Sequence, residues 1–587
     1  MTYRAPVETI QFTLEAITAL SEDIAAGHAG SLTQDLVPSI IEEAGRFAQE
    51  RLAPLNWQGD QCGAQFDQGH VAMPPGWDQI YQDWAQAGWN SVDLDPHWGG
   101  MGLPTRLATV AMEFWTSACM SFALGPVLTQ GAVDTLLLHA DEALKKTYLP
   151  KLVSGEWTAT MNLTEPQAGS DLGALTTRAY RQDDGTYRLK GNKIFITYGE
   201  HDLTPNIIHL VLARLPDAPI GTKGISLFLV PKFLVDEHQH PIQRNDVTCA
   251  GLEHKVGIHA SPTCSMVFGD QDGAVGWLIG EENRGLNCMF TMMNKARLYT
   301  GLQGVAIAER AYQKALEFSK VRVQGRAALA NSKASSSIIE HPDVRRNLHK
   351  MRALTSAARA IAYAAARAID LAHMADDPAV RKKAMTRAAL LTPVTKAWCT
   401  DAGVEVASIG IQIHGGMGYV EETGAAQYWR DARIAPIYEG TNGIQAIDLV
   451  TRKVLVAERD DLQDFFEELT TIAKKSHEPL GAAAQTLGEA VEILKTATQW
   501  LDTHAHDMKS VLSAATPYLN LFGTVSGAVW LAQGALYAQQ QKQTGDNKRV
   551  YDQAIMDARF FAQNFAVHAG ALFQSMQAEV SPSDDFE

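Results

Sequence analysis

The sequence predicts a mainly α-helical protein with a central β-domain between two helical domains and a further helical domain after them. Before residue 160, apolar residues such as Ile41, Ala44 and Phe47 recur at helical spacing. From about residue 160 to 280, short runs rich in β-branched residues are separated by turn residues. No helix-length pattern lies between those runs, which favours an antiparallel barrel or sandwich over a parallel sheet. Long helical patterns return from about residue 285.

These changes of pattern divide the chain into five regions. We expect an N-terminal extension, an N-terminal helical domain, a barrel-like β-domain, a C-terminal domain of the four-helix type and an extra helical domain, at residues 1–40, 41–159, 160–280, 281–456 and 457–587. Within the β-domain, β-branched runs between turn residues predict strands at 187–197, 207–215, 224–230 and 263–268.

Composition excludes several classes of protein. The 50 basic and 66 acidic side chains give a formal charge of −16, which disfavours nucleic acid and anionic membranes as partners. No apolar run reaches the ~18 residues of a membrane span, and the N-terminus has no signal pattern, so we expect a cytoplasmic protein. The six cysteines form no CxxC pair, which predicts buried thiols rather than disulfides or metal ligands.

Two segments near the predicted strands carry polar groups suited to a ligand. Residues 161–171 read MNLTEPQAGSD, with hydroxyls at Thr164 and Ser170 and free backbone N–H groups near the glycine. Residues 191–199 read GNKIFITYG, and strand alternation predicts that Phe195 and Thr197 share one face. An aromatic ring beside a hydroxyl could stack on a flat ligand and hydrogen-bond its edge. A capped turn and a half-buried strand would also explain these segments individually.

Two later segments lie in the helical region. Residues 411–419 read IQIHGGMGY, where the glycines allow close backbone approach to a ligand, although no GxGxxG fingerprint is present. Residues 438–445 read YEGTNGIQ, with Thr441 as a possible helix cap. A carboxylate held in an apolar cleft has a raised pKa, which suits Glu439 to act as a general base. A glutamate at a helix start, favoured by the helix dipole, is the simpler alternative.

In this order and at these separations, the four segments resemble the acyl-CoA dehydrogenase family over roughly residues 40–455. The extra C-terminal helices are similar to those of the larger bacterial members, the 3-methylmercaptopropionyl-CoA dehydrogenase group. The resemblance implies a helical N-domain, a β-domain and a helical C-domain, with FAD bound between the last two. It also implies a homodimer in which a second subunit completes the FAD site.

The implied reaction is α,β-dehydrogenation of an acyl-CoA thioester to a trans-2-enoyl-CoA, with Glu439 as the base and hydride transfer to flavin N5. The substrate would be 3-methylmercaptopropionyl-CoA or a fatty acyl-CoA, and electron-transfer flavoprotein would be the acceptor. An oxidase that uses oxygen is the alternative; a DNA-associated flavoprotein and a catalytically silent scaffold are less favoured, given the acidic C-terminal region and the retained Glu439.

The resemblance assigns further residues by position. Those expected to bind FAD are Leu163, Thr164, Ser170, Phe195, Thr197, Arg322, Gln324, Gln412, Gly416 and Thr441. Those expected to bind the substrate are Ser170, Arg297, Tyr438 and Gly440. Arg322 and Gln324 would reach the pyrophosphate from the partner subunit, and Gln412 and Gly416 would line the adenosine end.

Overall fold

The computed structural model describes residues 3–328 and 334–578, and it places a strand-rich layer between helical regions. Turn and cap chemistry sets many helix ends: Asp141 accepts a hydrogen bond from Leu144 N at 2.8 Å, and Gly155 ends the same helix in a left-handed conformation. The helices before the β-domain are α1 (Val7–Ala16), α2 (Leu20–Ala25), α3 (Leu36–Phe47), α4 (Ala53–Cys62), α5 (Trp77–Gln86), α6 (Thr105–Ala118), α7 (Met120–His139) and α8 (Glu142–Ser154).

A short hairpin interrupts the predicted N-terminal helical region. Strands β1 (Gln65–Asp67) and β2 (His70–Ala72) pair antiparallel. Gln68 and Gly69 form the turn, with φ of 45° and 88°. Three residues per strand are too few to show a periodic pattern, which is why the hairpin was not predicted.

Helix α7 is long and apolar enough to cross a membrane by length and composition, which was not expected. Its most apolar window is 83% buried inside the protein. The cysteines are free thiols; five are buried as predicted, but Cys62 at the end of α4 is exposed.

The β-domain is a largely antiparallel barrel. Strands β5, β12, β7, β6 and β4 pair in a closed ring, because β4 pairs with both β5 and β6. Two further strands extend one side of the ring, and β3 pairs with β6 in parallel. The strands are β3 (Thr158–Asn162), β4 (Arg178–Arg181), β5 (Tyr187–Thr197), β6 (Ile207–Arg214), β7 (Ile225–Pro231), β8 (Phe233–Val235), β9 (Pro241–Arg244), β10 (Val247–Leu252), β11 (Thr263–Phe268) and β12 (Ala274–Ile279).

The four predicted strands are confirmed, with β5 and β11 at the predicted bounds and β6 and β7 within one residue of them. The short strands β4, β8 and β9 lie half-exposed or exposed and show little apolar alternation, so their sequences gave no clear pattern.

Three long helices form the centre of the second helical domain. Helices α9 and α11 run in the same direction, and α10 packs against both. Glycine permits the close approach of α9 and α11, since a Cβ at Gly304 would lie 2.1 Å from the Cys399 carbonyl oxygen. The helices of this domain are α9 (Gly285–Val321), α10 (Pro342–Met374), α11 (Pro378–His414), α12 (Ala425–Ala432) and α13 (Asn442–Asp448).

The last helices form a bundle that packs on α10 and α13 through α17. Arg352 of α10 binds Asp557 of α18 at 2.7 Å. The N-terminal extension lies on the same bundle, because Gln533 Nε2 donates to the Ala16 carbonyl oxygen at 3.0 Å. The helices here are α14 (Arg459–Lys475), α15 (His477–Leu480), α16 (Ala483–Thr503), α17 (Met508–Gln543), α18 (Arg549–Asn564) and α19 (Ala569–Met576).

Candidate active site

Glu439 lies in a tight loop between α12 and α13. Its backbone is left-handed, with φ of 58°, and Gly440 follows with φ of 81°. The α13 side of the loop is held by Thr441, whose Oγ1 accepts from Ile444 N at 3.3 Å, and by Gln445, whose Nε2 donates to the Glu439 carbonyl oxygen at 3.2 Å. A non-glycine residue with positive φ is costly, so the surrounding contacts must enforce this conformation.

The Glu439 carboxylate is poised to accept a proton. The residue is half-buried, but Oε2 is buried and has no hydrogen-bond partner among the described residues. Burial raises the pKa of Glu439 to about 7, although the cations of Arg297 and Lys396 act to lower it. A carboxylate with a pKa near neutrality is matched to general-base work at physiological pH.

Tyr438 and Arg297 flank Glu439. The Tyr438 hydroxyl donates to Gln303 Oε1 on α9, which ties the loop to that helix. Arg297 is buried beside Asp448, and its Nε has no acceptor among the described residues. It also lines a cavity of about 690 Å³ bounded by α7, α9, α10 and α11, whose lining does not include Glu439. Arg297 therefore lines this cavity and also acts on Glu439 by charge.

The β-domain segments 161–171 and 191–199 lie side by side. Ile194 N donates to the Thr164 carbonyl oxygen at 2.9 Å, which places Leu163 and Thr164 next to β5. Leu163 is buried, Thr164 is half-buried and Ser170 is exposed. The pairing brings together two of the segments singled out from the sequence.

Phe195 departs from the predicted strand alternation. A register shift between Cys264 and Met266 of β11 bulges β5 at this point, and Phe195 takes a φ of 61°. The bulge leaves the Phe195 side chain 56% exposed, while Thr197 is half-buried. The β5 backbone thus departs from regular alternation at Phe195, and the shared face of Phe195 and Thr197 stays a prediction.

A buried ion pair fixes this part of the β-domain. Lys193 Nζ donates to the Leu163 carbonyl oxygen at 2.9 Å and to Glu165 Oε1 at 2.8 Å. Glu165 also accepts from the backbone and hydroxyls of Thr176 and Thr177 at 2.6–3.1 Å. Burial acts to raise the pKa of Glu165, but Lys193 and these donors lower it to about 2. Burial lowers the pKa of Lys193 to about 8, against the attraction of Glu165.

The remaining predicted cofactor residues cluster at the C-terminal ends of α9 and α11, away from Glu439 and Arg297. Phe318 stacks on His414 with ring centroids 4.4 Å apart, so the ends of α9 and α11 meet. Arg322 and Gln324 follow α9 directly, while Gln412 lies in the last turn of α11 and Gly416 in the turn after it; all four are exposed. We call this the outer end, and the region of Glu439, Arg297 and Lys396 the inner end.

One chain cannot bring the two ends together. Val321 follows Arg297 by 24 residues in α9, which at about 1.5 Å per residue is about 36 Å. Gln412 follows Lys396 by 16 residues in α11, or about 24 Å. The structure thus gathers Glu439, Thr441, Tyr438, Gly440 and Arg297 at the inner end and separates them from the outer residues.

Sequence reasoning missed three charged residues at these sites, namely Glu165, Lys193 and Lys396. The first two lie within segments that the sequence singled out, but only the structure shows that they pair. A lysine in the middle of an apolar helical pattern is the signal that could have identified Lys396, which is fully buried.

The residues present fit a flat, polar-edged cofactor such as FAD. Phe195 offers an exposed aromatic face beside the half-buried hydroxyls of Thr164 and Thr197. At the outer end, a Cβ added to Gly415 or Gly416 would meet no atom within 4 Å, so the backbone there is open to a ligand. An aromatic platform with hydroxyls and an accessible glycine backbone suits a ring system joined to a phosphate-bearing chain.

Comparison with known families accounts for most of the chain. Residues 38–156, 160–271 and 283–455 match the N-terminal, middle and C-terminal domains of acyl-CoA dehydrogenase. Residues 463–582 match the family described as acetyl-CoA dehydrogenase C-terminal like. The chain belongs to the acyl-CoA dehydrogenase family, and it is an FAD-dependent enzyme that dehydrogenates acyl-CoA thioesters.

Individual relatives extend over nearly the whole chain. The 3-methylmercaptopropionyl-CoA dehydrogenase of Ruegeria pomeroyi is 45% identical over 578 residues, which cover 97% of each chain. A butyryl-CoA dehydrogenase of Syntrophomonas wolfei is 35% identical, covering 90% of this chain and 89% of its own. The fold matches an acyl-CoA dehydrogenase of Bacillus anthracis complexed with FAD, with a TM-score of 0.72, 22% identity and coverage of 94% and 90%. These comparisons do not support the oxidase alternative.

Proposed function

We propose that the enzyme oxidises a short acyl-CoA thioester, 3-methylmercaptopropionyl-CoA, with Glu439 as the catalytic base. The observation that carries the assignment of the base is the buried, unpartnered Oε2 of Glu439, with its pKa of about 7. The identity of the acyl group rests on the 45% identity to the Ruegeria pomeroyi enzyme over 97% of both chains.

In this proposal Glu439 Oε2 takes the proton from the α-carbon of the thioester. The Glu439 backbone N–H has no acceptor among the described residues and would donate to the thioester oxygen, where negative charge develops. FAD, when bound, supplies the acceptor for the hydride that leaves the β-carbon. The product is the 2-enoyl-CoA.

The remaining site residues have positioning roles in the proposal. Arg297, with its unpartnered Nε, would bind the CoA portion and help to align the acyl chain. The residues proposed to contact substrate are Ser170, Arg297, Tyr438 and Gly440. The residues proposed to hold FAD from the same subunit are Leu163, Thr164, Ser170, Phe195, Thr197 and Thr441.

We also propose that the enzyme is a homodimer in which the outer end of one subunit completes the FAD site of the other. The separation of about 36 Å along α9 supports this, because Arg322 and Gln324 cannot reach the inner end of their own chain. Gln412 and Gly416 would join them across the interface. Val323 and Tyr419 beside these residues are 52% and 89% exposed, as expected of a surface that a second copy covers.

We also propose that electron-transfer flavoprotein accepts the electrons and that the enzyme is cytoplasmic.

The purified enzyme should be assayed with 3-methylmercaptopropionyl-CoA and with straight-chain acyl-CoAs of several lengths. Each assay should be run with electron-transfer flavoprotein, with an artificial acceptor and with oxygen alone. We expect the highest kcat/KM with the methylthio substrate and negligible turnover with oxygen. A higher kcat/KM with a straight-chain substrate would overturn the substrate assignment.

A further inference from the structure

Lys396 is a buried cation that the reaction described above does not use. It lies in the middle of α11 and is fully buried. Its Nζ donates to Asn442 Oδ1 at 2.9 Å, and no carboxylate lies within ion-pair distance among the described residues. A buried ammonium without a carboxylate in direct contact is costly, so its presence points to a function other than stability.

Asn442 connects Lys396 with the loop that carries Glu439. It is the first residue of α13, three positions after Glu439. Its Nδ2 donates to the Ala397 carbonyl oxygen at 3.1 Å and to Asp401 Oδ1 at 2.8 Å, both on α11. Its backbone N–H donates to the Pro436 carbonyl oxygen at 3.0 Å, on the other side of the loop. The Asn442 amide therefore fixes the loop to α11, and its oxygen accepts from Lys396 Nζ at 2.9 Å and more distantly from Thr400 Oγ1 at 3.4 Å.

Glu439 and Lys396 each lie near groups of opposite charge. Glu439 is faced by Arg297 from α9, by Lys396 from α11 and by the neighbouring hydroxyl of Tyr438. Lys396 is faced by Glu439, by Asp401 of its own helix and by Arg297. Burial lowers the pKa of Lys396 to about 7, while Glu439 and Asp401 act to raise it. The two groups therefore titrate in the same range, and each favours the charged form of the other.

We propose that Lys396 is a positioning residue for the dehydrogenation: through Asn442 it holds the loop against α11, and its ammonium favours the ionised form of the Glu439 carboxylate. This inference rests on the proposed role of Glu439 as the base. A cation beside a carboxylate lowers the pKa of that carboxylate, so removing the cation moves the pKa upward. Above neutrality Lys396 becomes a neutral amine, which still donates to Asn442 but no longer acts on Glu439 by charge.

The test compares Lys396→Met with the wild-type enzyme, both full length and loaded with FAD, over about pH 5.5 to pH 9. The acid limb of the kcat/KM profile should move upward by about one pH unit, which is about a tenfold loss near pH 6 that shrinks at high pH. kcat should fall while KM stays constant, since Lys396 is not proposed to touch the substrate. The control is Lys383→Met, on α11 like Lys396, which removes an exposed ion pair with Asp464 of α14 and should leave the profile unchanged.

The results that would contradict the charge role, the link through Asn442 and the proposed function differ from one another. An unchanged acid limb in Lys396→Met, or a loss that is uniform in pH and matched by lost FAD, would overturn the charge role. If Lys396→Met does not fold, Asn442→Ala tests the link alone: we expect kcat to fall about equally at all pH values with the acid limb in place. Wild-type kcat in Asn442→Ala would refute the link. Full activity in Glu439→Gln would instead remove the proposed function on which the inference depends.

Discussion

The two ends of the long helices differ in whether this chain encloses their functional groups or leaves them exposed. At the inner end, Glu439, Arg297 and Lys396 come from three separate elements of one chain and are largely enclosed by it. At the outer end, Arg322 and Gln412 are exposed and stand beside apolar side chains that are also exposed. The inner end is therefore built by folding alone, whereas this chain leaves the outer end exposed, and we propose that a second copy covers it.

This difference shows which properties a single chain can determine. Desolvation raises the pKa of Glu439, and the fold alone provides that desolvation at the inner end. Exposed residues such as Arg322 keep their ordinary solvation until a ligand or a second copy arrives. Substitutions at the inner end should therefore affect chemistry and stability, while those at the outer end should affect cofactor affinity and assembly.

The largest effect is expected from Glu439→Gln at the inner end. The substitution keeps the size of the side chain but removes the only proposed proton acceptor, so kcat should fall by at least ~100-fold. FAD content should stay at the wild-type level, because the cofactor residues are untouched. Mixing the enzyme with substrate under anaerobic conditions, and monitoring the flavin absorbance, measures the rate of dehydrogenation directly.

A matched control for this variant is Glu422→Gln, which neutralises an exposed carboxylate in the turn before α12. Its kcat should remain within about twofold of wild type, since surface substitutions of this kind have small effects. Retention of wild-type kcat by Glu439→Gln would require a different base and would refute the proposed role of Glu439.

The sequence predicted the order of helical and strand-rich regions because those regions have distinct periodicities over many residues. It also identified the Glu439 loop through the resemblance. It did not predict the bulge at Phe195 or the pairing of Glu165 with Lys193, which depend on contacts between segments far apart in sequence. Lys396 was missed for the same reason, since its neighbour Asn442 lies 46 residues away.

The next largest effect is expected for Glu165→Gln, which breaks the buried ion pair beneath the segment of Leu163 and Thr164. The amide leaves the Lys193 ammonium buried without its carboxylate, and such a loss costs about 3 kcal/mol or more. We expect the unfolding midpoint of the β-domain in urea to fall accordingly. Because the folded pKa of Glu165 is lowered, its contribution is present above about pH 4.5 and is lost as the pH falls toward about 2.

Glu282→Gln is the control for that variant within the same domain. Glu282 pairs with Arg181 at 2.7 Å, but both side chains are partly exposed to solvent. An exposed pair contributes less than about 1 kcal/mol, so the midpoint should hardly move. Equal destabilisation by the two substitutions would contradict the view that burial makes the Glu165 pair the important one.

The smallest effect, and the sharpest test of the comparison, is expected for Arg322→Ala at the outer end. Loss of the proposed charge-assisted hydrogen bond from Arg322 to the pyrophosphate should weaken FAD binding by about tenfold or somewhat more, with little change in kcat at saturating FAD. Titration of the apoenzyme with FAD measures this affinity. Arg345→Ala, an exposed arginine near the start of α10, should bind FAD normally.

A mixture of variants then tests whether the site is shared between subunits. In a heterodimer of Arg322→Ala and Glu439→Gln, one site carries both substitutions and the other carries neither, provided that Arg322 acts on the partner's site. Equal co-expression should restore activity at about a quarter of all sites when FAD is limiting. If Arg322 instead serves its own chain, every site carries one substitution and no activity returns beyond that of the separate variants. That outcome would refute the shared site that the length of α9 led us to propose.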